Sequence, residues 1–150
     1  MIKVLRTNSE NSDFTNLVDS LNSYLKVMDG AEHDFYNQYN NIDVLNHVVL
    51  VFLNDVAAGC GAFKRFDTNS VEIKRMYTHP EFRSQGIASK VLLELEKWAK
   101  EEAFNVCVLE TGKRQTEAVS FYKKMNYTII PNYGQYKNIS NSICFKKELN

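Results

Sequence analysis

The stretch Val71-Glu-Ile-Lys-Arg-Met-Tyr-Thr-His-Pro-Glu-Phe-Arg-Ser-Gln-Gly-Ile-Ala88 holds a strand that ends near Thr78, a short loop, and the abrupt start of an amphipathic helix. That start reads Arg83-x-x-Gly86-x-Ala88. Consecutive backbone N–H groups at a helix opening have no acceptor within the helix, and the helix dipole favours an anion there, a pyrophosphate included. Gly86 lets such a group approach the backbone, Ala88 keeps the helix close to the strands beneath it, and Arg83 can add charge-assisted hydrogen bonds. Taken alone, the same pattern also describes an ordinary helix start that carries a glycine.

Downstream of the loop the helix covers residues 86–102, with Ala88, Val91, Leu92, Leu95 and Ala99 on one stripe and Lys90, Glu94, Lys97 and Glu101 away from it. Upstream lie three strand-like runs, residues 46–53, 56–66 and 70–77. Asn54-Asp55 and Asp67-Thr68-Asn69 join them with side chains that favour tight turns, so the set reads as an antiparallel meander. Residues 2–5 form a first short strand. Phe14, Leu17, Val18, Leu21, Tyr24, Leu25 and Met28 then recur at helical spacing up to the stop signal Gly30, and a second short helix is expected over residues 32–39. Beyond the long helix come a buried strand over 106–110, a helix over 116–125, and closing strands over 127–130 and 142–147. The order βααβββαβαββ predicts an α/β sandwich around a mixed central sheet. No repeat, low-complexity tract or linker-like shift interrupts it, so residues 1–150 are read as one domain.

A chain of 150 residues, 44% hydrophobic and 24% charged, with only 6 Gly and 2 Pro, can bury a core. Lysine plus arginine, 18, equals aspartate plus glutamate, 18, and the pI is near 6.8, which argues against a nucleic-acid partner held mainly by charge. No apolar run approaches the roughly 20 residues that span a bilayer. The opening MIKVLRTNSE lacks a signal peptide's apolar stretch, so no membrane association is expected and a cytoplasmic location is the default. Cys60, Cys107 and Cys144 are an odd set in apolar, strand-like stretches without C-x-x-C spacing, as structural thiols of a reducing compartment would be. His33, His47 and His79 stand far apart with no paired spacing, and no metal is expected.

The helix start resembles the acetyl-CoA motif of the GNAT N-acetyltransferase superfamily, Arg/Gln-x-x-Gly-x-Gly/Ala between the fourth strand and the third helix. It stands here as Arg83-Ser84-Gln85-Gly86-Ile87-Ala88. The later stretch Ala118-Val-Ser-Phe-Tyr-Lys-Lys-Met-Asn-Tyr127 is similar to the family's A-x-x-F-Y-x-x-x-G-F, and the element order resembles the family's over essentially the whole chain. Asn126 replaces the motif's glycine at a helix end, where asparagine tolerates a left-handed backbone.

The resemblance implies transfer of an acyl group, usually acetyl, from coenzyme A to an amine by direct attack in a ternary complex. The amine must be neutral, the oxyanion needs hydrogen-bond donors, and the departing thiolate needs a proton or an equivalent stabiliser. By position in the motif, backbone groups of Met76, Tyr77 and Thr78 contact the pantetheine arm and the thioester carbonyl. Tyr122 occupies the position whose hydroxyl lies near the coenzyme sulfur and serves as general acid; its competing reading is core, since Ala118, Phe121, Tyr122 and Met125 share one helical face. Gln115 sits where the family commonly has an asparagine that bonds the pantetheine.

By the strand positions at which members of the family carry the base, the resemblance makes Glu72 and Glu110 competing general bases, with Glu72 placed first, and either also has the reading of a structural ion-pair partner for Lys74 or Arg75. Strand alternation groups Glu72 with Lys74 and Met76, opposite Ile73, Arg75 and Tyr77. The rest of the acceptor pocket, on the resemblance, comes from the first helical hairpin with His33, Phe35, Tyr36 and Tyr39 and from a late loop with Tyr133 and Tyr136. The expected acceptor is the amine of a small molecule, an amino acid or a peptide. The rival readings are an acyl-CoA-binding module without turnover and an acyltransferase toxin acting on aminoacyl-tRNA; the neutral charge weighs against the latter. Acceptor identity, acyl length and oligomeric state, a homodimer included, are left open.

Overall fold

Asn54 and Asp55 both take left-handed backbone, φ 50° and 69°, as a two-residue hairpin turn requires and as short polar side chains tolerate. They join β2 (His47–Leu53) to β3 (Val56–Arg65). A second turn, in which the Asn69 N–H donates to Asp67 Oδ1 at 2.9 Å, leads into β4 (Ser70–Thr78). The computed structural model describes residues 1–29 and 44–150.

The other described elements are β1 (Ile2–Thr7), α1 (Ser12–Asp29), α2 (Ile87–Glu101), β5 (Val106–Gly112), α3 (Thr116–Lys124), β6 (Thr128–Ile130) and β7 (Ser142–Glu148). Single 3-10 turns occupy Pro80–Phe82 and Gly134–Tyr136. The strands make one mixed sheet in the order β1-β2-β3-β4-β5-β7-β6, antiparallel throughout except for the parallel pair β4–β5. This is the expected α/β sandwich, with element ends within two residues of the sequence reading. The expected helix over 32–39 lies outside the described residues, and with it Tyr36, His33, Phe35 and Tyr39. None of the described helices is long and apolar enough to cross a membrane.

Each face of the sheet is buried under helix. On one, Phe14, Leu17 and Leu21 of α1 pack on Val48, Leu50, Cys60, Ala62 and Tyr77. On the other, Val91, Leu92 and Leu95 of α2 and Tyr122 of α3 pack on Val49, Val51, Phe63, Ile73, Leu109 and Phe145. Burying this apolar surface is the main source of stability, at about 25 cal/mol per Å². Carboxylates go in with it, Glu72 and Glu96 among them; Glu96 of α2 accepts from Tyr127 Oη and pairs with Lys147 Nζ, both at 2.8 Å, so its buried charge is met on both oxygens. The thiols Cys60, Cys107 and Cys144 are free and buried.

Two irregularities of β4 shape everything that follows. Cys60 opposes Tyr77 while Ala62 opposes Lys74, so three steps on β4 match two on β3. The extra residue is Arg75, at φ 61°, whose carbonyl accepts from Cys60 Sγ at 3.3 Å. A bulge of this kind reverses side-chain alternation beyond it. Tyr77 therefore joins Lys74 on the α1 face, and Met76 turns to the α2 face, which corrects the grouping that strict alternation predicts for both. The second irregularity is a split: β4 pairs with β5 only through Ser70↔Val106, Val71↔Cys107 and Glu72↔Val108. Beyond Glu72 the two strands part, and a cleft opens in the middle of the sheet.

Candidate functional site

Where β4 and β5 part, backbone groups lose their cross-strand partners and two cavities adjoin. The outer one, about 340 Å³, runs along Met76, Tyr77 and Thr78 to Arg83, Ser84, Gly86, Ile87 and Ala88. The inner one, about 120 Å³, is walled by Glu72, Lys74, Arg75, Glu110, Thr111 and Tyr136. Leu21, Met76, Gln115, Ala118 and Tyr122 line both, so these side chains stand at the junction.

The outer cavity ends on the helix opening. Gly86 caps α2 at φ 76° and, among the described residues, has nothing within 4 Å of the place a Cβ would occupy. Ser84, at φ 65°, is a second left-handed residue in the turn. The first amides of α2 thus face open space at the positive end of the helix dipole, an arrangement that fits a phosphate. Arg83 reaches back from the loop, with Nε 3.4 Å from the Thr78 carbonyl and its guanidinium 5.5 Å above the Tyr24 ring. Gln85 is exposed and outside the cavity wall, while the Ile87 side chain is sealed in the core, so its available group is the backbone N–H. Tyr77 likewise puts its ring into the α1-side core.

Gln115, partly buried, begins α3, and Tyr122 lies two turns on, buried among Phe121, Tyr127 and Phe145 with ring centroids 5.2, 5.8 and 5.9 Å away. Tyr122 is therefore a core residue and a wall of both cavities at once. Burial, then the negative charge of Glu110, pushes its phenol well above the ordinary tyrosine range. Asn126 closes the helix at φ 72°.

The inner cavity is polar. Glu72, only 5% exposed, accepts a hydrogen bond from Tyr133 Oη at 2.7 Å on Oε2. Tyr133 is braced edge-on by Phe66 and by Tyr136, with centroids 4.9 and 5.9 Å away. Burial first, then Glu72, raises the Tyr133 phenol; burial, then Glu110 and Glu72, raises that of Tyr136. All three phenols remain protonated donors at neutral pH.

The structure thus gathers Glu72, Glu110, Tyr122, Tyr136, Gln115 and the 76–78 and 83–88 segments around one cleft, with Tyr133 one hydrogen bond behind Glu72. Sequence reasoning missed Lys74 and Arg75 as wall residues: alternation puts Lys74 on the face of Glu72, and the bulge, which has no local signature, adds Arg75 to it. It also missed Tyr24, Phe82 and Glu117 in the outer wall. The helical spacing of Tyr24 and its place in the stripe read as core.

A model of the acetyltransferase (GNAT) family matches residues 14–127 of the chain. The chain is 31% identical over 97 residues to YsnE, an uncharacterised N-acetyltransferase of Bacillus subtilis, across 63% of this chain and 64% of that protein. The alignment therefore spans less than two thirds of that relative's length. Among solved structures, a Klebsiella pneumoniae protein assigned as an acyl-CoA N-acyltransferase superposes with a TM-score of 0.82 at 22% identity, over 100% of this chain and 99% of its own. A GNAT family acetyltransferase from Elizabethkingia anophelis, solved with acetyl-CoA bound, gives 0.72 at 20% identity over 99% and 98%. At these identities the likeness concerns the fold.

Proposed function

The chain belongs to the acetyltransferase (GNAT) family, and from that premise we propose that it moves an acetyl group from acetyl-CoA to the primary amine of a small molecule, an amino acid or a peptide, with both substrates bound together. The observation that carries this reading is the pair of cavities meeting at Met76, Gln115, Ala118 and Tyr122, one ending on an open helix start and the other on two carboxylates. A direct transfer needs such a through-passage.

Acetyl-CoA supplies the acyl group as a thioester, and the chain's part is to hold its phosphates, to place the acyl carbon at the junction, and to move two protons. The open amides from Ser84 to Ala88, with Arg83, suit the pyrophosphate. Gln115, Met76 and Thr78 line the outer cavity, and the Gln115 amide with the backbone of Met76 and Thr78 is assigned to the pantetheine arm. The acceptor nitrogen forms its bond to the acyl carbon as the carbon–sulfur bond breaks; the nitrogen gives up a proton and the sulfur gains one. Tyr122, held protonated by burial, faces the junction as donor to the departing sulfur. Because its phenol is a weaker acid than a thiol, a hydrogen bond that becomes a transfer only as the sulfur departs costs less than a free tyrosinate.

Of the two carboxylates, Glu72 has one oxygen already engaged by Tyr133, so the attacking amine is assigned to Glu110, the reverse of the order the sequence suggests. Glu72, fastened by Tyr133, binds the acceptor's amino group beside Glu110. The test is thiol release from acetyl-CoA across a panel of amines, with mass spectrometry of the product. An acetylated amine formed with one equivalent of free coenzyme A supports the reading. Tight coenzyme binding without turnover on any amine overturns it in favour of a binding module.

A further inference from the structure

The two carboxylates of the inner cavity share their walls with two cations. Lys74, 7% exposed, and Arg75 line the same 120 Å³ as Glu72 and Glu110. The four belong to one face of the sheet. Lys74 opposes Ala62 of the α1-side core, Arg75 is close enough for its charge to pull on the buried Cys60 thiol, and Glu110 opposes Cys144, beside Tyr136. The bulge at Arg75 is what brings consecutive basic residues to one cavity, since regular alternation would separate them.

We propose that the acceptor is a small zwitterion, an amino acid or an amino-carboxylate of similar size, held by its carboxylate at Lys74 and Arg75 and by its amino group at Glu110 and Glu72. The inference rests on the acetyltransferase reading and narrows its acceptor. In a partly desolvated cavity a ligand of one sign gains from one pair of charges and is repelled by the other. A diamine or polyamine sets its second charge against Lys74 and Arg75, and a bare amine gains nothing from them. A zwitterion offers each pair its complement. Lys74, Arg75 and Glu110 each also have a partner within the protein, so the ligand adds to contacts already made, and its own two charges cancel. The space agrees with a compact acceptor: 120 Å³ is well below the usual drug-sized pocket of about 300–1,000 Å³.

The experiment measures kcat/KM with acetyl-CoA for matched trios: alanine, alaninamide and ethylamine; serine, serinamide and ethanolamine. Rates are taken across pH and expressed per free amine, because an amide lowers the basicity of its neighbouring amine. The amino acid of at least one trio is expected to exceed both partners by about tenfold or more, as loss of a charged hydrogen-bond partner in a closed site implies. Lys74→Met should collapse that ratio towards one. If Lys74→Met does not fold, Arg75→Asn, a residue type that tolerates the left-handed backbone at that position, makes the same test. Amides or bare amines turned over as well as the amino acids, or a variant that slows all three members equally, overturns the zwitterion. Failure with every amine, with and without a carboxylate, overturns the acetyltransferase reading and this inference with it.

Discussion

Replacing Gly61 by alanine probes the junction from behind. A Cβ at Gly61 would fall on Met76 Sδ and lie 2.7 Å from Val91 Cγ1 and 2.9 Å from Leu95 Cδ1, where carbon contacts prefer about 3.5–4.0 Å. Val91 and Leu95 are fully buried, so Met76, flexible and only partly buried, is the group that yields. Overpacking of this kind costs about 1–3 kcal/mol, and alanine returns about 0.5–1 kcal/mol in a strand by restricting the unfolded chain. At the middle of each range the net loss is about 1 kcal/mol, a fall in Tm of about 2–4 °C for a chain of this size. Met76 lines both cavities. Its displacement therefore narrows the place where an acyl group must sit, and the KM for acetyl-CoA should rise more than the Kd for free coenzyme A. Met76→Ala removes the nearest of the three obstacles and gives Val91 and Leu95 room to shift, so Gly61→Ala with Met76→Ala should be more stable than the two single losses add to, with a coupling of about 1 kcal/mol. Thermal melts, calorimetry with coenzyme A and steady-state kinetics on the four proteins make the test. A Gly61→Ala protein with unchanged Tm and additive singles would refute the reasoning, since Met76 would then not occupy the notch.

Gly86→Glu puts a negative side chain at a left-handed position where phosphate is expected, and calorimetry should show coenzyme A affinity falling by about 10²-fold or more; unchanged affinity in a folded variant would place the site elsewhere. Tyr122→Phe keeps the ring packing and deletes the donor, so kcat should fall by about 10–100-fold with coenzyme affinity nearly constant. Glu110→Gln should lose rate most at low pH and recover as free amine becomes abundant, between about pH 6 and 10, whereas Glu72→Gln should raise KM at all pH values; the opposite pattern would give the proton-handling role to Glu72. Burial pushes the Cys60 and Cys107 thiols up to about 12 and that of Cys144 to about 11, so at pH 8 thiolate is about one part in 10³ to 10⁴ and native protein should resist iodoacetamide until unfolded.

Much of the frame is written locally. Helical spacing from Phe14 to Met28 and along α2, and Asn54-Asp55 with its two left-handed residues, act through neighbours a few positions apart. So does the opening Arg83-Ser84-Gln85-Gly86-Ile87-Ala88, whose free amides follow from any helix that begins there. These features appear in the sequence at the right places because turn chemistry and amphipathic periodicity need no tertiary partner to be expressed.

The cleft itself depends on long-range pairing. Nothing within residues 70–78 marks Arg75 as the bulged residue; the mismatch arises only when β4 is laid on β3, and it decides that Met76 faces α2, that Tyr77 faces α1, and that Lys74 and Arg75 share a cavity. The hydrogen bond from Tyr133 to Glu72 spans 61 positions and exists because β7 pairs with β5, which pairs with β4 for just three residues before the strands part. A residue's type and local spacing determine which element it can join, while the face it shows and the charges it meets are set by register between distant strands, where one extra residue reverses every side chain beyond it.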